Sequence, residues 1–83
     1  MDIESIIGLL DEINSDRTVP RNIREMVSTA LKNLRNEKQD VIFRVNNVIS
    51  LLDEVSNDPN IPTYTRTQVW NIVSMLESIS SGR

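Results

Sequence analysis

The stretch Val48–Leu76, VISLLDEVSNDPNIPTYTRTQVWNIVSML, decides the fold. Val48, Ile49, Leu52 and Val55 recur at the three- and four-residue spacing of one helical face. Asn57-Asp58-Pro59-Asn60 is turn chemistry, because Asn and Asp side chains bond their own backbone and proline fixes φ. Ile61-Pro62 closes the turn, and Pro62 with Thr63 opens a second helix carrying Val69, Ile72, Val73, Leu76 and Ile79. The stretch therefore reads as a helical hairpin.

The same construction stands once before it, from Ile6 to Leu34. Shifted by 42 positions, the chain matches itself without a gap: Leu9-Leu10-Asp11-Glu12 falls on Leu51-Leu52-Asp53-Glu54, Asp16 on Asp58, Pro20 on Pro62, Arg24 on Arg66 and Leu34 on Leu76. Unrelated amphipathic helices share apolar spacing, but not Asp, Pro and Arg in register. In the first unit, Asp2 is expected to cap a helix whose face is Ile3, Ile6, Ile7, Leu10 and Ile13, ended by Asn14-Ser15-Asp16. Pro20 suits the first position of helix two, whose stripe is Ile23, Met26, Val27, Ala30, Leu31 and Leu34. Asp40 caps helix three, and Ser80-Ser81-Gly82-Arg83 reads as a frayed end. Val19 is expected to tuck back against its hairpin, and Phe43 to join the core. Nothing alternates long enough to be a strand.

The expected fold is all-α: one domain over residues 1–83, with repeat 1 at about 3–36 and repeat 2 at about 40–79. A period of 42 resembles that of HEAT-type helical repeats, but a solenoid needs about three units to bury a continuous core. Two units close more easily face to face, so a four-helix bundle of two antiparallel hairpins is preferred to an open stack.

Composition removes most chemistries. The chain has no histidine and no cysteine, hence neither the usual neutral-pH base nor a thiolate. Metal ligands reduce to carboxylates, and with glycine only at Gly8 and Gly82 there is no glycine-rich phosphate loop. The expectation is a protein that is not an enzyme and holds no cofactor and no metal. No apolar run approaches the ~18 residues of a membrane span, and MDIESII lacks the basic start of a signal peptide, so a soluble cytoplasmic protein is expected. The net charge of −3 argues against general affinity for nucleic acid or anionic lipid.

Four groups of residues are candidates for function. Asp11-Glu12 and Asp53-Glu54 lie late in their helices, where the macrodipole disfavours them; Arg24 and Arg66 are placed to reach back and brace each hairpin, by an ion pair or a hydrogen bond. Asp16 and Asp58 are expected to accept backbone N–H groups in their own turns or the next helix start. Arg21, Arg24, Lys32 and Arg35 fall within about 60° on helix two and form the best nucleic-acid candidate, although Glu25 can pair with Arg21 and no aromatic lies on that helix for a base to stack on. Trp70, the only tryptophan, sits at the edge of the predicted core, either as a lid on it or as the anchor of an interface; Arg66 is placed to lie across its ring, with Tyr64 elsewhere on the same helix.

The segment DPNIPTYTRTQVWNIVSMLES, with SLLDEVSND before it, resembles a small archaeal family of helical proteins, uncharacterised protein family 0147. The resemblance runs from Ile3 to Ser78 and is most specific in Asp58–Pro62, Thr65–Thr67 and Trp70–Ser74. It implies an all-helical fold and brings no activity or catalytic residues. The functional expectation is a non-catalytic protein–protein interaction module that binds through Trp70, Arg66 and Tyr64 on helix four, its partner another protein or a second copy. The alternative is an RNA- or ribosome-associated helper using the basic stripe of helix two.

Overall fold

Amphipathic stripes at 3.6-residue period can be buried only against one another, and four of them set the architecture. A computed structural model describes residues 3–81 and contains α1 (Ile3–Asn14), α2 (Arg21–Arg35), α3 (Val41–Ser56) and α4 (Thr63–Ser80), with no strand among the described residues. The expected Asp2 cap and the last two residues lie outside this range. The short turns make consecutive helices antiparallel neighbours. α1 packs on α2 and α4, and α3 packs on α2 and α4, while the backbones of the diagonal pairs α1/α3 and α2/α4 stay apart. An open stack would set α1 on α3 and α2 on α4; the chain instead closes as a four-helix bundle.

The core is the predicted stripes meeting at the centre. Ile6, Leu10 and Ile13 of α1, Ile23, Val27, Ala30 and Leu34 of α2, Val45, Val48, Leu52 and Val55 of α3, and Val69, Ile72 and Leu76 of α4 are buried. Val19 and Ile61, the residues before the two prolines, are buried too and tie each turn to the core. Phe43 is not a core residue: it is 54% exposed. It lies two positions before Val45, about 200° round the helix from it, so its ring faces solvent. α4 is also longer than expected, since Ser80 remains helical and its Oγ donates to Asn46 Oδ1 at 2.9 Å.

The helix starts depart from the expected capping. Pro20 and Pro62 are not first helical residues but occupy the position before, with ψ near 150°. Their carbonyls accept the first helical N–H bonds, from Ile23 and Arg24 at 3.1 and 3.0 Å and from Thr65 and Arg66 at 3.1 Å each. Asp40 stands at the start of α3 as expected, yet its carboxylate makes no capping bond; its carbonyl accepts the Arg44 N–H at 3.0 Å.

The two turns use the same side-chain device. Asp16 Oδ1 accepts the Thr18 N–H at 2.9 Å, and Asp58 Oδ1 accepts the Asn60 N–H at 2.8 Å. Each aspartate therefore stabilises its own turn rather than the following helix. One core position differs in kind: Thr65, opposite Ile23 in the 42-residue register, is fully buried with no partner for its hydroxyl among the described residues.

Candidate interaction surface

The outer face of α4 differs from those of α1 and α2. Its exposed positions from the helix start through the fourth turn are Thr63, Tyr64, Thr67, Trp70, Asn71 and Ser74, and none carries a charge. Arg66 and Glu77 are the only charged residues in this helix. The exposed positions of α2, by contrast, are Arg21, Asn22, Glu25, Thr29, Lys32 and Arg35. Those of α1 include Glu4, Asp11 and Glu12, with no base in that helix. A helix face normally stays soluble by charge; this one relies on hydroxyls, amides and two aromatic rings.

Trp70 sits on one flank of that face, 58% exposed, so it is not a closed lid on the core. The other two predicted contact residues are engaged elsewhere. Arg66 donates Nε–H to the Ser56 carbonyl at 3.0 Å and Nη2–H to the Asp58 carbonyl at 2.7 Å. Its guanidinium thus serves the α3–α4 turn instead of the Trp70 ring. Tyr64, about 120° round the helix from Trp70, donates its hydroxyl to Asp16 Oδ2 at 2.7 Å and touches the Thr18 hydroxyl. It ties the start of α4 to the α1–α2 turn.

Tyr64 also helps Thr18 hold the Asp16 carboxylate in its charged form. The Thr18 hydroxyl at 2.6 Å, the Tyr64 hydroxyl and the Thr18 N–H all donate to the Asp16 carboxylate and hold its pKa below the ordinary 3.8. A depressed carboxylate pKa stabilises the folded state above the unfolded value and loses that contribution as pH falls through the folded one. Carbon-detected NMR should therefore place the Asp16 titration midpoint below 3.8 and move it upward in Tyr64→Phe. Acid unfolding of that variant should be less steep over the same range.

A groove of about 470 Å³ runs beside the uncharged face, between α4 and α1, lined by Leu9, Gln68, Asn71, Ile72, Ser74 and Met75. Leu9, Ile72 and Met75 supply its apolar lining. The Gln68 side-chain oxygen is buried and has no donor among the described residues.

The other predicted groups are less free than expected. Arg21 pairs with Glu25 at 3.5 Å, the only ion pair within 4 Å among the described residues. Arg24 donates Nε–H to the Val19 carbonyl at 3.1 Å, which leaves Lys32 and Arg35 as the uncommitted cations of the stripe. Arg66 does reach back across its hairpin, to the carbonyls of Ser56 and Asp58, whereas Arg24 stops at the Val19 carbonyl beside the start of its own helix; Asp11-Glu12 and Asp53-Glu54 stay exposed. The freed carbonyls around a helix end are the better acceptors, being fixed in place and already partly desolvated. Among the described residues no three acidic side chains converge to hold a metal ion. No described helix is long and apolar enough to cross a membrane.

Two residues went unremarked in the sequence, Gln68 and Arg44. Leu9 reads in the sequence as broadening the apolar face of helix one, and it lies 36% exposed on the groove instead, since a groove is made by two helices meeting. Arg44 donates Nη1–H to the Leu34 carbonyl at 2.7 Å and joins the α2–α3 turn to α3. The uncharged face did leave a trace: from Thr63 to Leu76 only Arg66 is charged.

The molecule has relatives. A Sulfolobus acidocaldarius protein is 47% identical over 93% of this chain and 86% of its own length. A Methanosarcina acetivorans protein is 46% identical over 93% of this chain and 79% of its own. The crystal structure of a Thermoplasma acidophilum protein from the same family superposes with a TM-score of 0.89 at 39% identity, covering 93% of this chain and 91% of that one. A second crystal structure, of a protein of unknown function, gives 0.88 at 49% identity over 92% of this chain and 86% of that one. With the family's sequence model matching residues 1–79, the chain belongs to the uncharacterised protein family UPF0147.

Proposed function

We propose that this protein is a non-catalytic binding module that presents the outer face of α4 to another protein. One observation carries the reading: in a chain that is 25% charged, the exposed positions of α4 from Thr63 to Ser74 are uncharged and include a half-exposed tryptophan. Binding surfaces are depleted in Lys, Glu and Asp at their centres and enriched in Trp and Tyr. Tyr, Ser, Thr and Asn side chains add adaptable hydrogen bonding at low entropic cost. Of the sequence-predicted trio, Trp70 is the contact residue, while Arg66 and Tyr64 hold the helix that displays it. The absence of histidine and cysteine from the chain supports a role without catalysis.

The test compares the parent with Trp70→Ala. Because the ring is largely exposed, circular dichroism should show an unchanged fold. A photoreactive residue placed at Ser74 should crosslink to a partner that Trp70→Ala fails to retain, while Arg21→Glu/Arg35→Glu retains it. A folded Trp70→Ala protein that keeps every partner of the parent would remove the reading. Loss of partners in the α2 variant alone would transfer it to the basic stripe.

A further inference from the structure

Trp70 and the α1–α4 groove lie on opposite flanks of the same uncharged face. At about 100° per residue, Gln68, Asn71 and Met75 are roughly 100–160° round the helix from Trp70, and Thr67 and Ser74 lie between. The two features share a level along the helix, since the α4 residues of the groove run from Gln68 to Met75 and bracket Trp70.

This placement has a symmetry consequence. A two-fold axis parallel to α4 exchanges the flanks of two facing copies and keeps their level. Each Trp70 then meets the other copy's groove, in an isologous contact where one pairing is made twice. A two-fold axis across the helix would instead bring the two Trp70 flanks together and leave both grooves open.

The chemistry of the two flanks is complementary. The indole is an apolar body with one N–H that only donates. The groove offers Leu9, Ile72 and Met75 to the ring. Thr67 and Ser74 on the midline are small enough for two α4 helices to approach closely. Charge permits this face to pair with itself. A two-fold contact through α1 would set Glu4, Asp11 and Glu12 against themselves, and one through α2 would oppose Arg21, Lys32 and Arg35. Along α4, as along α3 from Ile42 to Ser50, a copy meets a copy without like charges at the centre, and of these two helices α4 is the one that borders the groove.

We propose that the protein forms a two-fold dimer in which Trp70 of each copy seats in the α1–α4 groove of the other. This rests on reading the α4 face as a binding surface and names its partner as a second copy.

Sedimentation equilibrium of the full chain, from micromolar to near-millimolar concentration, tests it alongside tryptophan emission. The expected mass is twice the 9.5 kDa of one chain. Emission should shift to the blue as the dimer forms, because the sole indole leaves water. Trp70→Ala should raise the dissociation constant at least about 30-fold, as for an interface hot spot. Leu9→Glu, which sets a carboxylate on the groove lining of a residue already partly exposed, should do the same. Lys32→Ala on the far helix should leave association unchanged. Dimerisation that Leu9→Glu does not weaken would overturn the seat in the groove. A parent that stays monomeric throughout would overturn self-pairing, and the Ser74 crosslink would then decide separately whether the α4 face serves a different protein.

Discussion

Leu52→Ala is expected to destabilise the protein by about 3 kcal/mol, and to lower its melting temperature by roughly 15 °C, as read by thermal and denaturant unfolding. Leu52 is fully buried on α3, the helix that packs on both α2 and α4. Truncation removes apolar surface from the centre of the bundle and leaves a cavity. Helices joined by short turns at both ends have little freedom to collapse into it, so the cavity term persists. The consequence is large because the reserve is small. A domain of this length buries about 60% of its unfolded surface, and its total stability falls in the range of about 4–12 kcal/mol. No disulfide supplements the core. A cost below about 1 kcal/mol would mean that the centre of the bundle is loosely packed and that α3 is not the element the others close upon.

How far residues reveal the structure depends on what kind of partner they have. Apolar stripes were legible because burial obeys a period: every residue of the α2 stripe except Met26 is buried, and Met26 packs against the core from its edge. Phe43 was misplaced because hydrophobicity was weighed there without phase. Its two-residue offset from Val45 already put it on the wrong side of the helix. The turn aspartates were legible because an Asx turn is local, reaching two residues along the chain. Arg66 was half legible: its reach back across the hairpin follows from its place one turn into α4, but its acceptors are carbonyls, and every residue has one; Arg24, in the same register, stops at the Val19 carbonyl on its own side of the turn. Sequence marks side-chain charges and leaves backbone acceptors unmarked, so carboxylates seemed to be the obvious targets. The binding face had the same difficulty in another form. Trp70 stood out as the only tryptophan, whereas Thr63, Thr67, Asn71 and Ser74 became a surface only once the helix phase fixed which of them share it.

The arginine geometry leads to the second large effect. Arg66→Met should cost about 3 kcal/mol and Arg24→Met about half of that, measured as the difference in unfolding free energy from the parent. Methionine keeps most of the aliphatic stem and removes the guanidinium, so packing changes little and the hydrogen bonds carry the difference. Arg66 makes two charge-assisted bonds, to the carbonyls of Ser56 and Asp58, whereas Arg24 makes one, to Val19. Each such bond contributes about 1.5 kcal/mol at the lower end of its range, which suits half-buried groups. The larger cost also has a structural reason. Ser56 is the last residue of α3, and Asp58 lies in the turn that sends the chain into α4, so Arg66 clamps the α3–α4 hairpin at its closed end. Without it the Ser56 and Asp58 carbonyls must find water, and the start of α4 loosens where Tyr64 reaches Asp16. Amide exchange should therefore quicken in Asn57–Thr65 of Arg66→Met before it does so in α1. Equal costs at the two arginines would show that the second Arg66 bond contributes nothing.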